Sequence, residues 1–472
     1  MKIARTLAPL LLLAARAHAD DSLGVDPTRP RGGALLHPSD DSDDSDGYKF
    51  HFHGFLRVPM LVGLQGKYLH SPPQIPDGDY TDWRFTNVNG GPWTELWFQY
   101  GNGTVSANVV IAAYDITDAS YRDLLSQLGI AQSFVTINSP QAFGDRGGLT
   151  WNVGAFSNRY GTAAQYDAGK YDTYLFGATH VGGETVSGYY ELSPSLTLAI
   201  DHGVGAKMDV TPLVPGLEAP YLPYPGDVQQ GSTLLHHAHV GLVIGDHTTV
   251  AAHYLTEWTQ DARLDGDQDG RVTNVGADVK VIASKYGDAY LGYSHIKSVN
   301  PLRVAGAFEA IHSFEGWNLR DNYFGPDATG TGTIDTVLAQ YSFSLARYLW
   351  APKEFDDEGP DLVFAAFGMF NHVASADPAF TGAPTKLKVG GEVTYTPRKW
   401  LGLDLRYDLV QPDMRDRDYS FHVISPSAII HTAYGSNEEI VVGFSHYVNG
   451  SKVVPAYPAD LLPTDTDVLR CT

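Results

Sequence analysis

The sequence predicts an all-β chain folded as a transmembrane antiparallel up-and-down β-barrel of about 18 strands (16–18). Three observations carry this. Short segments alternate apolar and polar residues with a period of two from Tyr48 almost to the last residue. Beyond the N-terminal leader no run of about 18 apolar residues occurs, so a helical membrane span is not available. Short and long connections alternate between the segments, as tight inner turns and long outer loops do in such barrels. Leu401-Gly402-Leu403-Asp404-Leu405-Arg406-Tyr407-Asp408-Leu409 is the clearest case: odd positions are apolar and even ones are Gly or charged. Successive side chains of a strand point to opposite faces, so one face meets hydrocarbon or a core and the other meets water or counter-charge.

The N-terminus reads as a secretory signal over residues 1–19. Lys2 and Arg5 precede an apolar run from Leu7 to Ala15, and Ala17-His18-Ala19 forms a small-residue cleavage site. Residues 20–47 include the acidic run Ser39 to Asp46, which cannot bury a core and is expected to be a disordered lead-in. The barrel is expected to occupy 48–472, with no internal domain boundary.

Composition narrows the function. The balance of 54 acidic to 32 basic residues gives a net charge of −22, which argues against nucleic acid and against a polybasic membrane-surface binder. One cysteine, Cys471, excludes an intrachain disulfide framework and a thiol metal cluster. A mean hydropathy of −0.18 is neutral, since a barrel needs only one apolar face.

Taken in order, the first strand sets Tyr48, Phe50, Phe52, Leu56 and Val58 against Lys49, His51, His53 and Arg57. Leu96, Phe98 and Tyr100 alternate with Glu95, Trp97 and Gln99. Gly101-Asn102-Gly103 then turns the chain into Val105, Ala107, Val109 and Ile111, a hairpin signature. From Asp118 to Leu128 the period changes, and Tyr121, Leu124, Leu125 and Leu128 suit one face of a short helix in a loop. Strands are expected at 134–137, 149–155, 173–192 and 196–200, the last two joined by a turn at Leu192-Ser193-Pro194-Ser195. Ten more follow at 234–244, 249–258, 272–283, 289–295, 334–345, 362–370, 386–395, 401–409, 421–432 and 440–448. That makes seventeen segments, and a closed single-chain barrel normally has an even number. Only Asp465 to Thr472 is left for an eighteenth, so it is very short, the chain stops early, or one segment is miscounted.

The opening Gly47 to Arg57 strand, the Trp151 to Phe156 strand leading into Arg159-Tyr160-Gly161 and Gln165-Tyr166-Asp167, and Trp400 to Asp408 after the Pro397 turn together resemble a Gram-negative outer-membrane porin. The likeness spans nearly the whole mature chain as pattern, with no motif specific to one subfamily and no terminal aromatic residue. It implies outer-membrane localisation, contact with outer-membrane lipid, a homotrimer, and passive diffusion of small hydrophilic solutes or ions. It further implies an external loop folded inward, for which residues 157–172 are the candidate.

Conduction needs a wet, charged lumen rather than a nucleophile. Strand parity places Lys49, His51, His53 and Arg57 on the inner face, with His253, Glu257, Lys386, Lys388, Glu392, Asp404, Arg406 and Asp408. Arg159, Asp167, Lys170 and Asp172 are the constriction candidates. The plainer reading is that these charges pair with neighbours and solvate the wall. His51 with His53, and His236, His237 and His239, give a weak metal signal, because no carboxylate accompanies them at fixed spacing. Asp265, Asp267 and Asp269 with Gly270 match the start of a calcium loop, although position twelve is Gly276 and strands flank it. It is either a structural calcium site or a solvated hairpin tip; no other cofactor is expected.

An enzyme is not expected: G-x-S-x-G, H-E-x-x-H and phosphate-binding glycine motifs are absent from the sequence. Ser294-His295 and Ser445-His446 are adjacent on strands and so face opposite ways. Two rivals stand beside the channel. One is an exported soluble β-rich carbohydrate-binding protein; the other is an outer-membrane barrel hydrolase with Ser and His drawn from neighbouring strands. Aromatic residues near strand ends suit membrane girdles better than sugar platforms.

Overall fold

The computed structural model describes residues 47–56, 60–64, 93–114, 128–159, 178–208, 231–245, 247–261, 270–281, 286–299, 311–312, 331–349, 360–376, 384–398, 400–432, 439–453 and 466–471. Strands dominate them. The first are β1 (Lys49–Leu56), β2 (Met60–Gly63), β3 (Trp93–Gly101), β4 (Val105–Tyr114), β5 (Leu128–Ser139), β6 (Ala142–Asp145) and β7 (Gly147–Arg159). Next come β8 (Ala178–Ser193), β9 (Leu196–Met208), β10 (Gly231–Ile244), β11 (Thr248–Asp261), β12 (Gly270–Val281), β13 (Asp288–Val299) and β14 (Ile311–His312). The last are β15 (Thr331–Ser344), β16 (Asp361–Ser375), β17 (Thr385–Arg398), β18 (Leu401–Gln411), β19 (Phe421–His431), β20 (Glu439–Asn449) and β21 (Thr466–Cys471), with one short helix, α1 (Leu345–Leu349), after β15.

Each strand pairs antiparallel with the next in one up-and-down sheet, the arrangement that two-residue alternation and tight turns dictate. With β1 and β2 counted as halves of one strand, and β6 and β14 set aside, eighteen strands follow one another. The expected short last strand is β21. One of its edges pairs with β20, and the other meets β2 through Met60↔Cys471 to Gly63↔Val468. This seam is short: β1 has β3 along one edge and no partner strand along the other among the described residues. The sheet therefore meets its own start over four residues without closing along its full height.

The connections separate by end. Residues 102–104, 194–195, 245–247 and 399–400 link strands at the end where β1 begins, whereas the strand ends at Arg159 and Ala178, Met208 and Gly231, and Val299 and Thr331 are at the other. α1 also sits at the short end, where Asp361 accepts from Ser344 Oγ (2.7 Å) and Ala346 N (2.9 Å), and Arg347 grips Asp288 with one nitrogen at 3.0 and 3.1 Å. At the long end β14 pairs with Ala178–Thr179 of β8, five strands away from β13.

Three sequence expectations need revision. The strand expected to end at Ile200 runs on to Met208, the one expected to end at His295 runs to Val299, and the one expected to end at Phe370 runs to Ser375. His202 and His372 stand on the otherwise apolar faces of the first and third of these extensions, which breaks the alternation where the strand continues. The leader, the acidic segment and the helix expected at 118–128 lie outside the described residues, apart from Gly47 and from Leu128, which opens β5.

Polar groups are buried beside apolar ones such as Leu255, Ile334 and Leu338, while the opposite face exposes apolar residues. Ser106, Asn108, Gln132, Thr136, Asn152, His239, Glu257, Asn274, Asn371 and Lys388 are buried. Ile130, Val135, Val153, Ile200, Val240, Val250, Leu291, Val337, Leu403, Leu405 and Ile424 are exposed. A sheet that gathers its polar groups on the concave face and exposes an apolar convex face is at its lowest free energy in hydrocarbon, where its backbone is already hydrogen-bonded strand to strand. Near the short-turn end the convex face is aromatic: Tyr48, Tyr100, Phe143, Tyr286, Tyr341, Tyr348, Tyr395 and Trp400 are all exposed there. Such a belt places amphipathic rings at a membrane interface.

Candidate functional site

The concave wall is the candidate site, and its sectors differ. On β3 to β7 its described side chains form an uncharged ladder. Asn108 Nδ2 donates to Thr136 Oγ1 (3.3 Å), whose hydroxyl donates to Asn152 Oδ1 (2.7 Å), and Thr150 Oγ1 donates to Asn138 Oδ1 (3.0 Å). Each bond satisfies a polar group shielded from water, and leaving such a group unmade would cost about 1–3 kcal/mol.

On β9 to β12 the wall carries histidines and carboxylates. Asp201, His239 and His253 stand in register across three strands. His239 Nδ1 lies 3.2 Å from Asp201 Oδ2, and His253 Nδ1 lies 3.9 Å from Asp278 Oδ1. Two glycines make room for the rings. A Cβ at Gly203 would fall 2.2 Å from His237 Cε1, and one at Gly276 would fall 2.4 Å from His253 Cε1. Glu257 shares this face, almost fully buried.

On β16 to β18 the wall is strongly charged. Arg406 Nε donates to both oxygens of Asp408 (3.0 and 3.2 Å) and its guanidinium lies 3.6 Å from Glu392, with the Phe367 ring 4.8 Å from its carbon. Asp404 accepts from Thr394 Oγ1 at 2.9 Å. Lys386 and Lys388 are buried on β17 beside them, Lys388 at 0 % exposure.

The structure thus sets His253, Glu257, Lys386, Lys388, Glu392, Asp404, Arg406 and Asp408 on one face, as parity predicts. Lys49, His51 and His53 share it too: His51 pairs with Gln99 and His53 with buried Trp97, whose ring is 5.7 Å away. Arg57, Asp167, Lys170, Asp172, Asp265, Asp267 and Asp269 lie outside the described residues, as does the side chain of Arg159, the last residue of β7. The triplet His236, His237, His239 is split by the pleat. His237 and His239 face the wall, whereas His236 is on the convex side, its Nε2 3.0 Å from His202 Nε2. Likewise Ser294 Oγ donates inward to Asn274 (2.7 Å) while His295 Nδ1 contacts Asp335 outward (2.8 Å), so this Ser-His neighbour pair does not meet. Asp201 and Asp278 escaped the sequence reading. Asp201 falls past the point where β9 was expected to stop, and Asp278 sits inside a strand that was read for its extent alone.

No family model matches the chain, and no curated protein matches it. Solved structures do. The outer membrane channel DcaP of Acinetobacter baumannii is 15% identical, with 90% of this chain and 97% of that chain covered and a TM-score of 0.42. Salmonella typhi OmpF in complex with daunomycin is 12% identical, with 90% and 97% covered and a TM-score of 0.43. Pseudomonas aeruginosa OprD is 9% identical over 81% of this chain and 88% of that one, with a TM-score of 0.35.

Proposed function

We propose that the chain is an outer-membrane channel for passive diffusion of small hydrophilic solutes or ions. One observation carries this reading: the charged groups Lys386, Lys388, Arg406, Asp408, His253 and Glu257 line the concave face of a sheet whose convex face is apolar. A soluble carbohydrate binder would have no use for that inversion. Charge on a lumen wall selects among solutes without trapping them when each group already has a partner, as Arg406 has in Asp408 and Glu392. Several wall groups are shielded inside the bore, so the expected path is narrow, with low unitary conductance. The constriction assigned to Arg159, Asp167, Lys170 and Asp172, export through residues 1–19, trimeric assembly and a calcium ion on Asp265, Asp267 and Asp269 belong to the same proposal.

Purified protein reconstituted in planar bilayers should give discrete current steps, and Lys388→Glu should shift reversal potential toward cations. Folded protein, identified by a heat-shifted gel band, that gives no steps would remove the channel reading. The calcium component predicts that EGTA raises protease cutting near Asp265 in the wild type but not in Asp267→Asn.

A further inference from the structure

On the convex face of β12 to β16, just inside the long-loop end, the apolar pattern gives way to cations. The register fixes a small lattice there. Thr273 stands opposite Lys297 and Lys297 opposite Thr333, with Arg271 two residues above Thr273. One row below, His295 stands opposite Asp335 and Asp335 opposite His372. Arg271, Lys297 and His372 are exposed. Asp335 is the carboxylate of this lattice, and it is already engaged, accepting from Tyr293 Oη at 2.6 Å with His295 Nδ1 at 2.8 Å. Exposed Arg271 donates from Nε to Thr256 Oγ1 (3.4 Å), which steadies the guanidinium, and Lys297 has no ion-pair partner among the described residues. Directly below, Val275, Tyr293, Val337, Phe370 and Leu291 are exposed on the same face.

We propose that this sector binds an anionic lipid of the outer leaflet, its phosphate held by Arg271 and Lys297 with Thr273 and Thr333 beside them and its acyl chains laid over Val275, Tyr293 and Val337. The assignment of leaflet rests on the channel reading above, which puts the long connections outside. Charge complementarity singles out the occupant. On a chain of net charge −22, two cations with no ion-pair partner among the described residues stand where a membrane-spanning sheet meets headgroups. A hydrocarbon-facing role would not use them, whereas a lipid phosphate satisfies both with charge-assisted hydrogen bonds. His372 adds a third positive group when protonated.

The test is native mass spectrometry of the full chain, folded in detergent and offered equimolar phosphatidic acid and phosphatidylcholine of matched chains. Wild type should retain phosphatidic acid preferentially. Arg271→Ser with Lys297→Ser should lower that preference about thirtyfold, at roughly one power of five per cation. Arg398→Ser, an exposed cation at the opposite end, should leave it unchanged. Raising salt should erase the preference in the wild type. Equal retention in wild type and the double variant, or complete displacement by equimolar inorganic phosphate, overturns the proposal; the latter would mean a free-phosphate site. If the double variant fails to show the heat-shifted band, Lys297→Ser alone is read against wild type on the same scale. Conductance recorded on the same samples separates the two readings, because a silent protein that keeps its lipid preference refutes the channel alone.

Discussion

Arg406 shows what a single inward residue does in this wall. Its guanidinium is almost wholly buried, bonded to Asp408 through two nitrogens, near Glu392, and stacked on Phe367. Removing one member of such a group strands the other in a poorly solvated place. Asp408→Ala should therefore destabilise the folded protein by about 3 kcal/mol, measured by urea unfolding in detergent, whereas a change at an exposed charge such as Arg398 should be within about 0.5 kcal/mol. Parity alone named Arg406 and Asp408 as wall residues, because the alternation from Leu401 to Leu409 admits no other phase. It could not show that they pair, since parity reports the face and the partner depends on side-chain rotamers. Nor could it show that Gly203 and Gly276 exist to accommodate His237 and His253, because that fit is made between strands.

The connection from β18 to β19 and residues 450–453 after β20 form one element with its own electrostatics. Asp413 accepts from Arg415, Asp416 pairs with Lys452, and a 3-10 turn at Arg417–Tyr419 is capped by Asp416. The hydrogen bond from Arg415 holds Asp413 below the ordinary carboxylate value of 3.8, and that from Lys452 does the same to Asp416. A carboxylate depressed by folding contributes stability above its unfolded pKa and loses it as pH falls through the folded value. Residues 411–421 and 450–453 should keep their amide protection at pH 7, begin to lose it below about pH 4, and lose it while the strands stay protected; hydrogen exchange would check this. Lys452 is shifted upward by the same contact, so its share should fade only as pH rises past 10.5. Seventeen strands were legible because alternation and turn residues are local signals. The overruns of β9 and β16 were not, because His202 and His372 stand on the lipid-facing side and imitate the end of a strand. The same residues mark the convex polar positions that a purely apolar belt would lack.

Across the whole molecule the membrane reading makes a depth-dependent prediction. Leu405 lies at mid-height of β18 on the convex face and is exposed, whereas Gln411 ends the strand on that face. Leu405→Arg should cost about 2–4 kcal/mol and Gln411→Arg about 0–1 kcal/mol when unfolding is measured in lipid vesicles, a gradient that a soluble sheet would not produce. The barrel architecture itself was open to sequence reading, since period, turn spacing and the polarity of one face all point to it. The height of each residue in the bilayer was not, because it depends on register between strands that a single sequence does not display.

The seam of β2 with β21 has a consequence in time. Met60 and Cys471 touch although roughly four hundred residues separate them, while nearly every other pairing joins neighbours in sequence. Hairpins such as β3–β4 can zip as soon as they are made. The seam can be joined only after almost the entire chain has been delivered, so β2 must wait with this edge bare through nearly all of biogenesis. An unpaired edge is a template for the wrong chain. The slow, vulnerable step in making this protein is therefore the last one, and a helper that shields the first strand until the last arrives would govern its yield.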